Sequence, residues 1–302
     1  MRELLALPAL RELGDPDAYM ARNSRSFRFA AALMSGAERE RTVRVYAWCR
    51  FTDDLVDDST NQRGAESRLD HWLSLSRAAY DGRACGVLLV DRVMEDMAER
   101  SIPFTYAEEL AAGMRSDLAF RPFGDMTELS VYTYRVAGVV GQWLTELHGV
   151  SDPWMLERAA ALGHAMQLTN ILRDVGEDWD RGRVYLPVSS LESRRISLHD
   201  LGAMRRGDRP ISRAYRDLLE ELIDAATVQY DLAREAIPRL PVTFRRSVAV
   251  AAAVYEGILT AIRRNDYDNF SRRAMTTTAG KVALAAGALL STRRASALRV
   301  AS

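Results

Sequence analysis

From Gln167 to Pro187 the chain reads QLTNILRDVGEDWDRGRVYLP. Met166, Leu168, Ile171, Leu172 and Val175 supply apolar positions turn by turn, while Gln167, Asn170, Asp174 and Asp178 recur at i, i+3, i+7 and i+11. On an α-helix those four polar side chains share one arc of roughly 80°. An acidic stripe on so apolar a helix must face something that offsets its desolvation, because unpaired buried carboxylates are costly. A second stripe lies upstream in YAWCRFTDDLVDD, where Tyr46, Arg50, Asp53 and Asp57 fall at i, i+4, i+7 and i+11, an arc of about 60°. Asp53 and Asp57, one turn apart, repel each other unless a cation lies between them.

Similar patterning runs through most of the chain. It predicts helices over 25–35, 38–58, 64–80, 86–100, 105–119, 126–148, 153–178, 212–236, 242–265 and 273–292. Breaks are expected at Asp15-Pro16, Ser59 to Gly64, Pro103, Pro122 to Gly124, Asp152-Pro153, Gly182 to Pro187, Gly207 to Pro210 and Pro238 to Pro241. No Asn-Gly or Asp-Gly pair separates alternating strands, and no long low-complexity linker divides the chain. The expectation is all-α, a single domain over 1–302.

Composition narrows the function. Lys+Arg and Asp+Glu balance at 41 each, so no bulk charge points to nucleic acid or to an anionic membrane. Cys49 and Cys85 lack metal-ligand spacing and read as reduced thiols of a cytoplasmic protein. No apolar run is long enough to span a bilayer. The Ala/Leu-rich tail from Lys281 to Val300, with Arg293, Arg294 and Arg299, reads as a closing helix or as one resting on a membrane surface.

Several shorter segments carry candidate chemistry. In Asn23-Ser24-Arg25-Ser26-Phe27 a serine can cap a helix, or Ser24, Arg25 and Ser26 can meet phosphate oxygens. Asp117, between Arg115 and Phe120, reads by itself as a solvated carboxylate. Tyr132, Tyr134, Gly138 and Gly141 share one helical segment, where two glycines call for a reason: close helix packing, or room for a bulky ligand. After Asp178, Arg181, Arg183 and Tyr185 form a basic flap suited to a metal-held anion. Carboxylate and amide ligands of this kind suit Mg²⁺, with Mn²⁺ as a substitute.

SRSF, YAWCRFTDDLVDD, YTYRVAGVVG and QLTNILRDVGEDWDRGRVYLP, in that order, closely resemble the phytoene synthase/squalene synthase family of head-to-head prenyltransferases over about residues 20–275. The resemblance implies an isoprenoid-synthase helical bundle around a central apolar cavity, with Mg²⁺ held by Asp53, Asp57, Asn170, Asp174 and Asp178. It places Ser24, Arg25, Ser26, Tyr46, Arg50, Gln167 and Arg173 at diphosphate-binding or site-lining positions. Asp117, Tyr132, Tyr255 and Arg272 fall near the reacting carbons or diphosphate, with weaker local motifs. Trp143 and Glu146 follow the glycine segment, with no assigned part in shaping the pocket.

The implied reaction joins two geranylgeranyl diphosphates through a cyclopropylcarbinyl diphosphate to phytoene, without NADPH. Proton loss passes to released diphosphate or to a nearby tyrosine. The alternative is a farnesyl-diphosphate-using dehydrosqualene, squalene or presqualene diphosphate synthase. A class I terpene cyclase or a non-catalytic assembly factor are further rivals, the first opposed by the Ser24–Phe27 and RGRVYLP segments. Peripheral contact with the inner face of the membrane would serve product release.

Overall fold

The computed structural model describes residues 10, 12–34, 36–57 and 62–300, with side chains described at all of these except Asp57 and 293–300. Among the described residues the regular structure is entirely helical. In the first half, α1 (Pro16–Asn23), α2 (Arg25–Ala31), α3 (Gly36–Asp57), α4 (Gln62–Tyr80), α5 (Leu88–Glu99) and α6 (Thr105–Leu118) precede α7 (Met126–Thr133) and α8 (Val139–Leu147). In the second half follow α9 (Pro153–Asp180), α10 (Val188–Ser193), α11 (Leu198–Arg206), α12 (Arg213–Ala236), α13 (Val242–Arg264) and α14 (Thr278–Val300).

Local chemistry explains where the sequence reading departs from these elements. Asp15-Pro16 starts a helix rather than breaking one: Asp15 accepts from the Ala18 N–H at 2.9 Å, and Pro16 occupies the first turn, where its missing donor costs nothing. The short helix α11 was also unexpected, and it opens on a reciprocal cap between Ser197 and Asp200. The segment 126–148 is interrupted by a π-helical turn, Tyr134–Gly138, which inserts a residue between α7 and α8. The last helix begins at Thr278 rather than 273, because residues after Arg264 form an irregular crossing segment.

The organising helix is α9, which packs along α12 and also meets α8, the π turn and α13. Its partner shows why: Tyr215, Leu218, Leu219, Leu222, Ile223, Ala226, Tyr230 and Ala233 bury one stripe of α12 at helical spacing. One main apolar core runs from Tyr19 on α1 to Ala285 on α14. A separate cluster of Met34, Met155, Ala236, Leu240 and Phe244 gathers near the starts of α9 and α13. Behind it, the His148 ring stacks on Phe244 with centroids 3.9 Å apart and planes 9° from parallel. Its Nε2 hydrogen-bonds Thr42 Oγ1 at 2.9 Å.

Burial pushes the His148 pKa down to about 4; Arg41 and Arg100 act in the same direction, and Glu38 opposes them. The folded state therefore favours the neutral ring, while the unfolded imidazole takes up its proton near pH 6.5. Stability supplied by this group is complete above pH 6.5 and is lost as pH falls towards 4. Between pH 7.5 and 5 the wild type should lose about 2 kcal/mol more than His148→Gln. Urea unfolding at the two pH values measures this, and equal losses in both proteins would refute it.

Candidate active site

A single cavity of about 1270 Å³ collects nearly all the candidate residues. One end, its mouth, is polar. From α3 come Tyr46, Arg50 and Asp53, and from α9 come Gln167, Asn170, Arg173, Asp174 and Asp178, so the two stripes face one space. Ser24, Arg25 and Ser26 line it from the start of α2, and Arg181, Arg183 and Tyr185 from the segment after α9. The side chain of Asp57 lies outside the described residues.

The carboxylates are paired in distinct ways. Arg50 donates to Asp53 at 2.6 Å and also pairs with Asp54 at 2.6 Å. Asp54 further accepts the Tyr19 hydroxyl, which ties α1 to the acidic stripe. Asp174 accepts from Arg173 Nε at 2.7 Å and from Arg273 Nε at 2.9 Å. Asp178 is different: burial first, and the negative charge of Asp174 next, push its pKa up to about 8 against the pull of Arg181 and Arg183. Two turns earlier on α9, Asn170 donates to Gln167 Oε1 at 3.2 Å, while its own Oδ1 is buried with no donor. An orphaned amide oxygen, the Asp174 carboxylate one turn on and a carboxylate that resists ionisation one turn further, all on one helix face, are hard oxygen donors of the kind that suit a divalent cation. Among the described residues, no three acidic, histidine or cysteine side chains converge on one ion position.

Arg272 is exposed and does not line the cavity; its neighbour Arg273 does. The crossing segment sets this register through Asn269. Its side chain donates to the Leu172 carbonyl at 2.6 Å and accepts the Tyr215 hydroxyl at 2.7 Å, and its carbonyl accepts from Gly176 N–H at 3.2 Å. The segment crosses so close that a Cβ on Gly176 would meet the Phe270 carbonyl oxygen at 2.5 Å. Held there, position 273 turns to Asp174.

Asp117 is buried rather than solvated, and accepts the hydroxyls of Tyr132 at 2.9 Å and Tyr185 at 2.8 Å. Those two rings stack at 5.2 Å, forming an aromatic wall below the acidic mouth. Burial raises both phenols far above their usual range, so they stay protonated hydrogen-bond donors. Ser24 does cap α2, accepting from Phe27 N–H at 3.2 Å. Burial raises the phenol pKa of both Tyr46 and Tyr255, and the Ser24 hydroxyl near each partly offsets that rise. Phe27 sits between the two rings, 5.4 and 5.3 Å away.

The glycines answer to packing. A Cβ on Gly141 would lie 2.2 Å from the Ala159 carbonyl oxygen, and one on Gly163 2.2 Å from that of Ala137, so α8 and the π turn meet α9 backbone to backbone. Trp143 packs against Trp48 in the core, and neither it nor Glu146 reaches the cavity. Sequence reasoning missed Lys281, the only lysine in the chain. It stands at the mouth, where burial and nearby Arg25 lower its pKa.

Away from the mouth the walls are mostly apolar, with Leu110, Val136, Val140, Leu162, Met166 and Ala251 among them and Thr42, Thr145 and Arg158 as polar members. Cationic and acidic groups thus crowd one end of a long greasy chamber. Such a chamber can hold a polar anionic head and shield an apolar tail from water. No helix among the described residues is long and apolar enough to cross a membrane.

Known proteins resemble this chain along most of its length. Residues 20–280 match the family described as squalene/phytoene synthase. A 15-cis-phytoene synthase of Synechocystis is 36% identical over 87% of this chain and 80% of its own length. A phytoene synthase of Arthrospira platensis is 35% identical over 85% of this chain and 86% of its own. The crystal structure of a ligand-bound dehydrosqualene synthase superposes with a TM-score of 0.85 at 26% identity, covering 95% of this chain and 98% of that one. With two facing acidic stripes at the mouth of one apolar chamber, and likeness along nearly its whole length, this chain belongs to the squalene/phytoene synthase family.

Proposed function

We propose that the protein condenses two molecules of geranylgeranyl diphosphate head to head to give phytoene. The observation that carries this reading is the single chamber whose mouth gathers Arg50, Asp53, Asn170, Arg173, Asp174 and Asp178 and whose walls are mostly apolar. The relatives named phytoene synthase support the four-isoprene substrate.

Mg²⁺ held by Asp53, Asn170, Asp174 and Asp178 would supply Lewis acidity at the departing diphosphate. The chain's own cations complete the neutralisation: Arg50, Arg173, Arg273 and Lys281 line the mouth, with Arg181 and Arg183 closing from the flap. The leaving diphosphate takes the C1–O bonding electrons, and the double bond of the second substrate attacks the allylic cation. Loss of one proton closes the cyclopropane. Second ionisation, rearrangement and another proton loss join the two C1 carbons.

Throughout, the apolar walls exclude water, and the stacked Tyr132 and Tyr185 rings line the chamber. Asp117 fixes both rings by accepting their hydroxyl protons in hydrogen bonds. Burial of each tail contributes about 0.8 kcal/mol per methylene.

Purified protein incubated with geranylgeranyl or farnesyl diphosphate, with Mg²⁺ and with or without NADPH, tests the reading by product identification. The expected product is a C40 hydrocarbon formed without NADPH and lost on chelation. A C30 product alone would instead establish the farnesyl-using alternative, for which the dehydrosqualene synthase likeness is the supporting observation.

A further inference from the structure

We propose that Phe244, seated on His148 and flanked by Met34, Met155 and Leu240, is the stop that sets prenyl-tail length in this chamber; the inference rests on the prenyl-diphosphate reading of the mouth. Phe244, Met34, Met155 and Leu240 all line the cavity, yet they form an apolar cluster apart from the main core. Met155 stands near the start of α9 and Asn170 fifteen residues along the same helix, a span of about 22 Å at 1.5 Å per residue. An extended geranylgeranyl chain reaches about 20 Å and a farnesyl chain about 15 Å, at roughly 1.3 Å of advance per carbon–carbon bond. A four-isoprene tail whose head lies level with Asn170 therefore ends against this cluster, and a three-isoprene tail stops short of it.

The stop is braced from behind. His148 lies flat against Phe244, with ring centroids 3.9 Å apart, and is anchored to Thr42 at 2.9 Å. Thr42 Oγ1 also lies 3.5 Å from the Met34 sulfur, which links the brace to the lining itself. Phe244 thus has a fixed plane, whereas the two methionines can repack. His148 does not line the cavity and is a positioning residue.

Competition between geranylgeranyl and geranylfarnesyl diphosphate (four and five isoprene units), read as the ratio of kcat/KM, tests the stop. Phe244→Ala should raise the relative use of the five-unit substrate by about 10-fold or more, the scale on which apolar pockets discriminate added methylenes. His148→Ala should move the ratio the same way by a smaller factor, and His148→Phe, which keeps a flat ring behind Phe244, should restore it. A loss of stability alone would lower turnover of both substrates without moving the ratio. Ala236→Leu, which adds bulk to the same cluster, should shift preference towards farnesyl diphosphate.

An unchanged ratio in folded Phe244→Ala, together with an unchanged preference in Ala236→Leu, would overturn the assignment. The wild-type product separates this from the reading of function. If the wild type makes C40 and the variants leave the ratios fixed, the stop is wrong and the reaction stands. If the wild type uses only farnesyl diphosphate, the C40 reading falls, and admission of the four-unit substrate by Phe244→Ala still supports the stop.

Discussion

Asp174→Asn is expected to lower product formation by about 10²–10³-fold, the scale for removing one electrostatic contact to a developing charge. The carboxylate is the meeting point of the mouth: it accepts from Arg173 and Arg273 on two sides and pushes up the pKa of its neighbour Asp178. Asparagine keeps the shape but removes the charge, so the arginines lose their counter-ion, and a divalent cation bound here would lose a ligand. Steady-state assays across a Mg²⁺ titration should show a fall in kcat that added metal does not restore. Wild-type turnover in the variant would show that the second acidic stripe does not serve the chemistry.

Gly163→Ala should destabilise the fold by about 1–3 kcal/mol or more, the usual range for overpacking. The new methyl would meet backbone on the facing segment: the Ala137 carbonyl oxygen at 2.2 Å, its carbon at 2.5 Å and the Gly138 Cα at 2.7 Å. None of these atoms can swing aside as a side-chain tip does, so the two segments must separate. Gly287→Ala is the control, because nothing lies within 4 Å of a Cβ there. In that exposed helix the same change should be neutral or stabilising by up to about 1 kcal/mol. Thermal unfolding should give a lowered melting point for Gly163→Ala and an equal or raised one for Gly287→Ala; a melting point for Gly163→Ala equal to wild type would show that the close approach is not required.

The two acidic stripes were legible because each lies within one helix, where spacing in sequence is spacing in space. Asn170, Asp174 and Asp178 needed only the helical repeat to be placed on one face. Asp117 was not legible, because what buries it comes from Tyr132 and Tyr185, 15 and 68 residues away. The choice between Arg272 and Arg273 turns on a crossing segment whose register depends on Asn269 reaching across to α9. The π turn left no mark in the apolar pattern, because the buried positions Leu129, Tyr132, Val136, Val139 and Trp143 keep a spacing of three or four residues across it. The end stop draws Met34, Met155 and the Leu240–Phe244 pair from three separate stretches, and no local signal joins them.

The bias of this chain towards arginine has a practical consequence at the chamber's entrance. Guanidinium groups stay protonated and resist acylation, whereas an ammonium with a depressed pKa spends more time as a free nucleophile. Lys281 is the sole side-chain amine among 41 basic residues, and it stands where an anionic head must pass. An amine-selective reagent therefore has one side-chain target, and a bound diphosphate would shield it, turning a routine labelling reaction into a footprint of occupancy.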